Sequence, residues 1–173
     1  PELDSISATL FRREAKAYSA LAHPNIVRYF GIEKYDDVYF MLLDYIDGDS
    51  LANILAKPGN RPFPGLETLV VYKAVCSALG YAHMNSVVHC DIKPGNILVD
   101  KGGKVYLTDF GIARHMESTA TDIGSAGTIA YMAPEQFRQE PVNAATDVYA
   151  LGIVLFEMLV GQKPFRPTDK STS

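Results

Sequence analysis

The stretch VVHCDIKPGNILVDKGGKVYLTDFGIAR, residues 87 to 114, constrains this chain more than any other. It sets His89, Asp91, Lys93 and Asn96 in one loop and Asp109 in a second, around a short apolar run. The segments NILV and KVYLT flank Asp100-Lys101-Gly102-Gly103, a hairpin turn signal, so the run reads as two short strands. The fold must therefore hold a small hairpin with a polar loop on either side of it.

The remaining segments mix helix and strand periods. Upstream, Phe11, Ala15, Tyr18 and Leu21 or Ala22 recur at spacings of three and four, which predicts a helix over about 4–22. His23-Pro24-Asn25 ends it, because the residue before proline avoids the helical region. IVRYFGIEK and DVYFMLLDY, rich in β-branched and aromatic residues, predict an antiparallel pair turning at Tyr35-Asp36-Asp37. IDGDS reads as punctuation before a short helix from Leu51 to Ala56. The spacing of Val71, Val75, Ala78 or Leu79 and Ala82 predicts a long amphipathic helix from Leu66 to His83, after the Pro- and Gly-rich KPGNRPFPG loop. Residues 112 to 130, rich in Ser, Thr, Gly and Ala, predict a long loop, and such loops inside compact domains are usually functional. The helix from about Ala144 to Val160 is apolar nearly all round, which predicts a central position.

With 173 residues, 47% apolar and 21% charged, the chain suits one packed globular unit. A net charge of -4 gives no electrostatic reason to expect nucleic acid or an anionic membrane as partner. Cys76 and Cys90 lie in no CxxC or Cys/His cluster, so neither a zinc site nor a disulfide framework is suggested, and a reducing, cytoplasmic setting is expected. The most apolar stretch, VYALGIVLFEMLVG, falls short of the roughly 20 residues a spanning helix needs. The start at Pro1 and the polar end PFRPTDKSTS read as cut ends.

HCDIKPGN, DFG and APE follow one another in that order. Asn96 lies five residues after Asp91, Asp109 thirteen after Asn96, and Glu135 twenty-six after Asp109. This set resembles the catalytic loop, metal-binding loop and activation-segment end of a protein kinase of the Ser/Thr class, with a style similar to bacterial kinases of the eukaryotic type. The resemblance runs from FRREAKAYSALAHPNIV to TDVYALGIVLFEMLVGQKPF. It implies an α+β, two-lobed fold in partial form, with residues 1–45 in the N-terminal lobe and 46–173 in the C-terminal lobe. It further implies transfer of the ATP γ-phosphate to Ser or Thr hydroxyls of protein substrates.

The resemblance assigns roles residue by residue. Asp91 accepts or orients the acceptor hydroxyl proton, and Lys93 stands near the transferred phosphate. Thr128, in GTIAYMAPE, binds them from the substrate-accepting segment. Asn96 and Asp109 offer hard oxygens for Mg²⁺, which bridges the phosphates. The hinge runs through Asp44, Tyr45 and Ile46 after a gatekeeper-like Leu43, and Ser50 and Leu98 complete the nucleotide-binding positions. Glu14 resembles the helix glutamate that pairs with a strand lysine. His89, Phe110, Tyr18 and Tyr29 match the apolar column coupling the lobes, and Asp147 the aspartate that anchors the catalytic-loop backbone. Outside such a constellation, Asp and Asn in loops usually cap turns.

Four departures modify that picture. No Gly-rich loop or strand lysine precedes Glu14, and the later helices are missing, so a fragment inactive alone and poorly behaved in isolation is expected. Glu135 lacks the arginine that it would meet in a later helix. Asp49 stands where the family more often has a second glycine. Cys90 stands where many kinases carry an arginine that captures an activation-segment phosphate, and a thiol has no such donor fork. Activity is therefore expected not to need phosphorylation of Ser118, Thr119, Thr121 or Ser125. Rival readings are a pseudokinase scaffold, which the full set of catalytic residues disfavours, and a small-molecule kinase, which GTIAYMAPE disfavours.

Overall fold

A computed structural model describes residues 18–36, 38–59, 62–110 and 129–165. The expected helix over 4–22 and loop over 112–130 lie largely outside them, as do Glu14, Thr128 and the four candidate phosphorylation sites.

Two antiparallel sheets organise the first half. Strands β1 (Tyr29–Tyr35) and β2 (Val38–Leu43) pair from Tyr35 with Val38 to Tyr29 with Leu43, with a bulge between Tyr29 and Gly31. The sequence predicts the first strand three residues earlier. Those residues are drawn to a different partner: Ile26 bridges Leu107 in parallel and the Val27 N–H donates to the Leu107 carbonyl at 2.9 Å.

The second sheet has the order β3–β4–β5, from β3 (Gly48–Ser50), β4 (Ile97–Asp100) and β5 (Val105–Leu107). The β4–β5 hairpin forms as its turn signal predicts. Asp100 Oδ1 accepts the N–H groups of Gly102 and Lys104, each at 2.9 Å, and Gly103 adopts φ 83°. Gly and Asp disfavour strands, so the sequence predicts only punctuation over β3; its pairing with β4, from Gly48 with Asp100 to Ser50 with Leu98, decides otherwise.

Helix α1 (Leu51–Ala56) has the expected bounds, with Ser50 Oγ accepting the Asn53 N–H at 3.2 Å as N-cap. Helix α2 (Gly65–Met84) is one residue longer at each end than its periodicity predicts. Its stripe of Thr68, Val71, Val75, Ala78, Leu79 and Ala82 is buried, and it packs on β5 and on the helix over residues 144–160. After the single turn α3 (Pro134–Phe137) comes α4 (Ala144–Val160), again with the predicted bounds. Asn143 caps its start and Gly161, at φ 78°, closes its end. Described residues cover only one side of α4: Ala150, Leu151, Ile153, Val154 and Met158 are buried, whereas Val148, Phe156, Leu159 and Val160 are exposed.

Candidate active site

The loop after α2 is held by a buried carboxylate. Asp147, on the first turn of α4, accepts the N–H of His89 at Oδ2 and the N–H of Cys90 at Oδ1, both at 2.8 Å. His83, near the end of α2, donates Nε2–H to the same Oδ2 at 2.8 Å. One carboxylate thus joins two helices to two successive loop amides, as the anchoring role implied by the resemblance requires. His83 carried no such expectation; its place on the helix gave no periodic signal.

His89 is fully buried, and both ring nitrogens are engaged. Nε2 lies 2.9 Å from the Thr108 carbonyl, which can only accept, so it carries the proton; Nδ1 accepts the Asp91 N–H at 3.2 Å. Burial pulls its pKa below the ordinary histidine value, against the opposing pull of Asp147, which keeps this neutral tautomer. The ring also stacks on Phe110 at 4.5 Å. Phe110 meets Tyr18 at 5.2 Å, and Tyr18 meets Tyr29 at 5.5 Å. That column links the catalytic loop to β1, and Tyr18 is pinned by its hydroxyl to the Val27 carbonyl at 2.7 Å.

Asp91, Lys93 and Asn96 come together directly. Asp91 Oδ2 accepts Lys93 Nζ at 2.8 Å and Asn96 Nδ2 at 3.0 Å, and the same amide nitrogen reaches the Asp91 carbonyl at 2.8 Å. The side chains of Lys93 and Asp91 remain 27% and 23% exposed, so a solute can reach the carboxylate. Because the Asn96 nitrogen is committed to Asp91, its oxygen is the end left for a cation. Asp109 is exposed, at φ 58°, and one residue before it Thr108 donates its N–H to the Asn96 carbonyl at 3.0 Å while accepting from His89. Thr108 therefore ties the two loops together, a function that a lone threonine in the sequence does not reveal. A carboxylate and an amide oxygen from separate loops are the hard donors that Mg²⁺ prefers.

Of the residues expected to meet a nucleotide, Leu43 ends β2, Asp44, Tyr45 and Ile46 follow it, and Ser50 and Leu98 stand in β3 and β4. Ser50 and Leu98 lie directly opposite each other in the β3–β4 pairing. The Asp44 N–H is used by the Arg28 carbonyl at 2.9 Å, and the Asp47 carbonyl by the Lys101 N–H at 3.1 Å. Between them, the Asp44 carbonyl and the backbone polar groups of Tyr45 and Ile46 have no hydrogen-bond partner among the described residues. A cavity of about 260 Å³ opens beside this segment, toward the β4–β5 turn, and is not lined by the catalytic loop. Asp49 is turned to α1. It accepts from Ser50 N–H, Asn53 Nδ2 and Lys57 Nζ, and the Asn53 bond foremost holds its carboxyl below the usual range.

Downstream, Glu135 accepts the Thr146 hydroxyl at 2.6 Å, which holds its pKa down. Gln136 in the α3 turn spans from the Ala133 N–H to the Cys90 carbonyl, each at 2.9 Å. The sequence reading missed it; the third position of a turn opened by proline was the available signal.

The protein kinase domain family model matches residues 2–173. The chain is 43% identical over 157 residues to the serine/threonine-protein kinase PrkC of Bacillus subtilis, covering 90% of this chain and 24% of that protein. It is 38% identical over 162 residues to the serine/threonine-protein kinase PknB of Mycobacterium leprae, covering 90% and 26%. It thus spans about a quarter of the length of these curated relatives. The crystal structure of the Mycobacterium tuberculosis PknI kinase domain superposes with a TM-score of 0.77 at 28% identity, over 94% of this chain and 59% of that one. A Rad53 structure in complex with AMP-PNP superposes at 0.75 and 28%, over 93% and 40%.

Proposed function

The chain belongs to the protein kinase domain family, and on that premise we propose that it carries the phosphotransferase core of a serine/threonine protein kinase, moving the γ-phosphoryl group of ATP to Ser or Thr hydroxyls of proteins. The observation that carries this reading is the bonded set of Asp91, Lys93 and Asn96. Phosphoryl transfer leaves a protein little covalent work, so catalysis is positioning plus charge stabilisation. Oδ2 of Asp91 bears both the lysine and the amide bond, which leaves Oδ1 to take the acceptor hydroxyl. As the hydroxyl oxygen bonds to phosphorus and the bond to the ADP oxygen breaks, the hydroxyl proton passes to Asp91. Lys93 lies close enough to shift toward the transferred group and offset its charge.

Asn96 and Asp109 would hold Mg²⁺, which when bound neutralises charge on the phosphates. The adenine edge would meet the Asp44 carbonyl and Ile46, between Leu43 and Leu98, with Ser50 near the ribose. Residues 1–45 and 46–173 would then belong to the smaller and larger lobes, with Glu14 and Thr128 contributing from outside the described residues. Cys76 and Cys90, both outside any disulfide, and the use of ATP fit a cytoplasmic setting, and among the described residues no helix is long and apolar enough to cross a membrane.

The test is a Mg²⁺-ATP phosphorylation assay on a generic Ser/Thr-containing protein, comparing the natural full-length protein with its Asp91→Asn and Asp109→Asn forms. Asp91→Asn should lower kcat by about 10²–10⁴-fold with the fold intact. Alanine at Ser118, Thr119, Thr121 and Ser125 together should leave most activity, because Cys90 offers no guanidinium to a phosphate. Nucleotide binding without transfer in the wild type would turn the reading to a scaffold, and transfer to a sugar or antibiotic would turn it to a small-molecule kinase.

A further inference from the structure

We infer that Gln136 is a positioning residue for the catalytic loop: its side-chain amide holds the carbonyl of Cys90 and so fixes the peptide that carries Asp91. The consequence for catalysis rests on the kinase reading; the clamp itself does not.

The peptide between Cys90 and Asp91 is held at both polar ends. Its carbonyl accepts Gln136 Nε2–H at 2.9 Å, and its N–H donates to His89 Nδ1 at 3.2 Å. The preceding peptide is fixed as well, since the Cys90 N–H donates to Asp147 at 2.8 Å. Cys90 needs such restraint because its φ of 64° lies in the left-handed region, disfavoured for a residue with a Cβ. Rotation about the Cys90 N–Cα bond would relieve that strain, carry the Cys90 carbonyl out of place and swing Asp91 away from Lys93 and Asn96. Gln136 opposes the rotation from 46 residues away, at the far end of the segment that follows Asp109.

Only one orientation of the Gln136 amide satisfies both partners, oxygen toward the Ala133 N–H and nitrogen toward Cys90. The oxygen contact is ordinary N-terminal capping of α3. The nitrogen contact is not needed for capping, and it joins this turn to the catalytic loop through a neutral hydrogen bond. Where an arginine before the catalytic aspartate would make the link conditional on a phosphate, Cys90 with Gln136 makes it unconditional.

Gln136→Glu separates the two contacts, since it keeps the capping oxygen and removes the donor. In the natural full-length protein, amide hydrogen exchange at Cys90 and Asp91 should rise about tenfold or more, while Ala133 stays protected. In the same variant kcat should fall about tenfold or more, with KM for ATP within about twofold. Gln136→Ala should expose all three amides. If the added carboxylate unfolds the protein, Gln136→Met, uncharged and of similar length, removes the donor with the same exchange expected at Cys90 and Asp91. Unchanged exchange at those two amides would overturn the clamp, and faster exchange with wild-type kcat would overturn its positioning role. A wild type without transferase activity would remove the kinase reading, and exchange would still decide the clamp.

Discussion

A Cβ on Gly48 would stand 2.0 Å from the Val99 carbonyl oxygen and 2.6 Å from the Asp100 Cα, inside any allowed contact. The obstacles are backbone, so no rotamer change relieves them, and Gly48→Ala has to move β3 off β4. Roughly 2–3 kcal/mol of stability should be lost, read as a lower urea midpoint at unchanged slope. A loss below about 0.5 kcal/mol would show that β3 shifts at little cost. At this scale the sequence was readable where chemistry fixes residue type: Asp91, Lys93 and Asn96 meet as their order implied. It was unreadable where the backbone is unusual without glycine. Cys90 and Asp109 both take positive φ, and neither residue type announces that conformation. Asp49 was marked as a departure, but its bonds to α1 depend on helix placement.

Helices that carry a capping residue lie close to their predicted spans. Ser50 starts α1, and Asn143 and Gly161 bracket α4, each through a hydrogen bond or a left-handed φ that few residues supply. Strand β3 and the parallel bridge at Ile26 were not legible, because both depend on partners distant in sequence. Within α2, Thr68 continues the buried stripe one turn ahead of Val71, and its hydroxyl has no hydrogen-bond partner among the described residues although the residue is 2% exposed. Burying an unsatisfied hydroxyl costs stability that a methyl does not. Thr68→Val should therefore stabilise the protein by about 1 kcal/mol, seen as a Tm raised by a few degrees. A lowered Tm would mean that the hydroxyl has a partner, or that valine's shape does not fit the stripe.

Over the whole molecule the shifted histidines and carboxylates act in one direction with pH. His89, held neutral by burial, and His23, lowered by the same cause, resist protonation in the fold, whereas the unfolded chain takes up protons near the ordinary value of 6.5. Below that value the unfolded state binds more protons, so stability falls as pH falls; well above it these groups contribute no slope. Asp49, Asp100 and Glu135 are held below their ordinary values of 3.8, 3.8 and 4.5, chiefly by hydrogen bonds from Asn53, the Lys104 backbone and Thr146. Their stabilisation is complete above those values and lost as pH falls through the lowered ones. Two stages follow: a first decline starting near pH 6.5 and a steeper one beginning near pH 4.5. Urea midpoints between pH 8 and 3.5 measure this directly. His89 links the Thr108 carbonyl, the Asp91 amide and the Phe110 ring, so protonating it would break the Nδ1 contact that orients Asp91. The loss of kcat that follows from protonating folded His89 should therefore come at lower pH than the first decline in stability, and a midpoint flat from pH 8 to 5 would show that His89 is not held neutral.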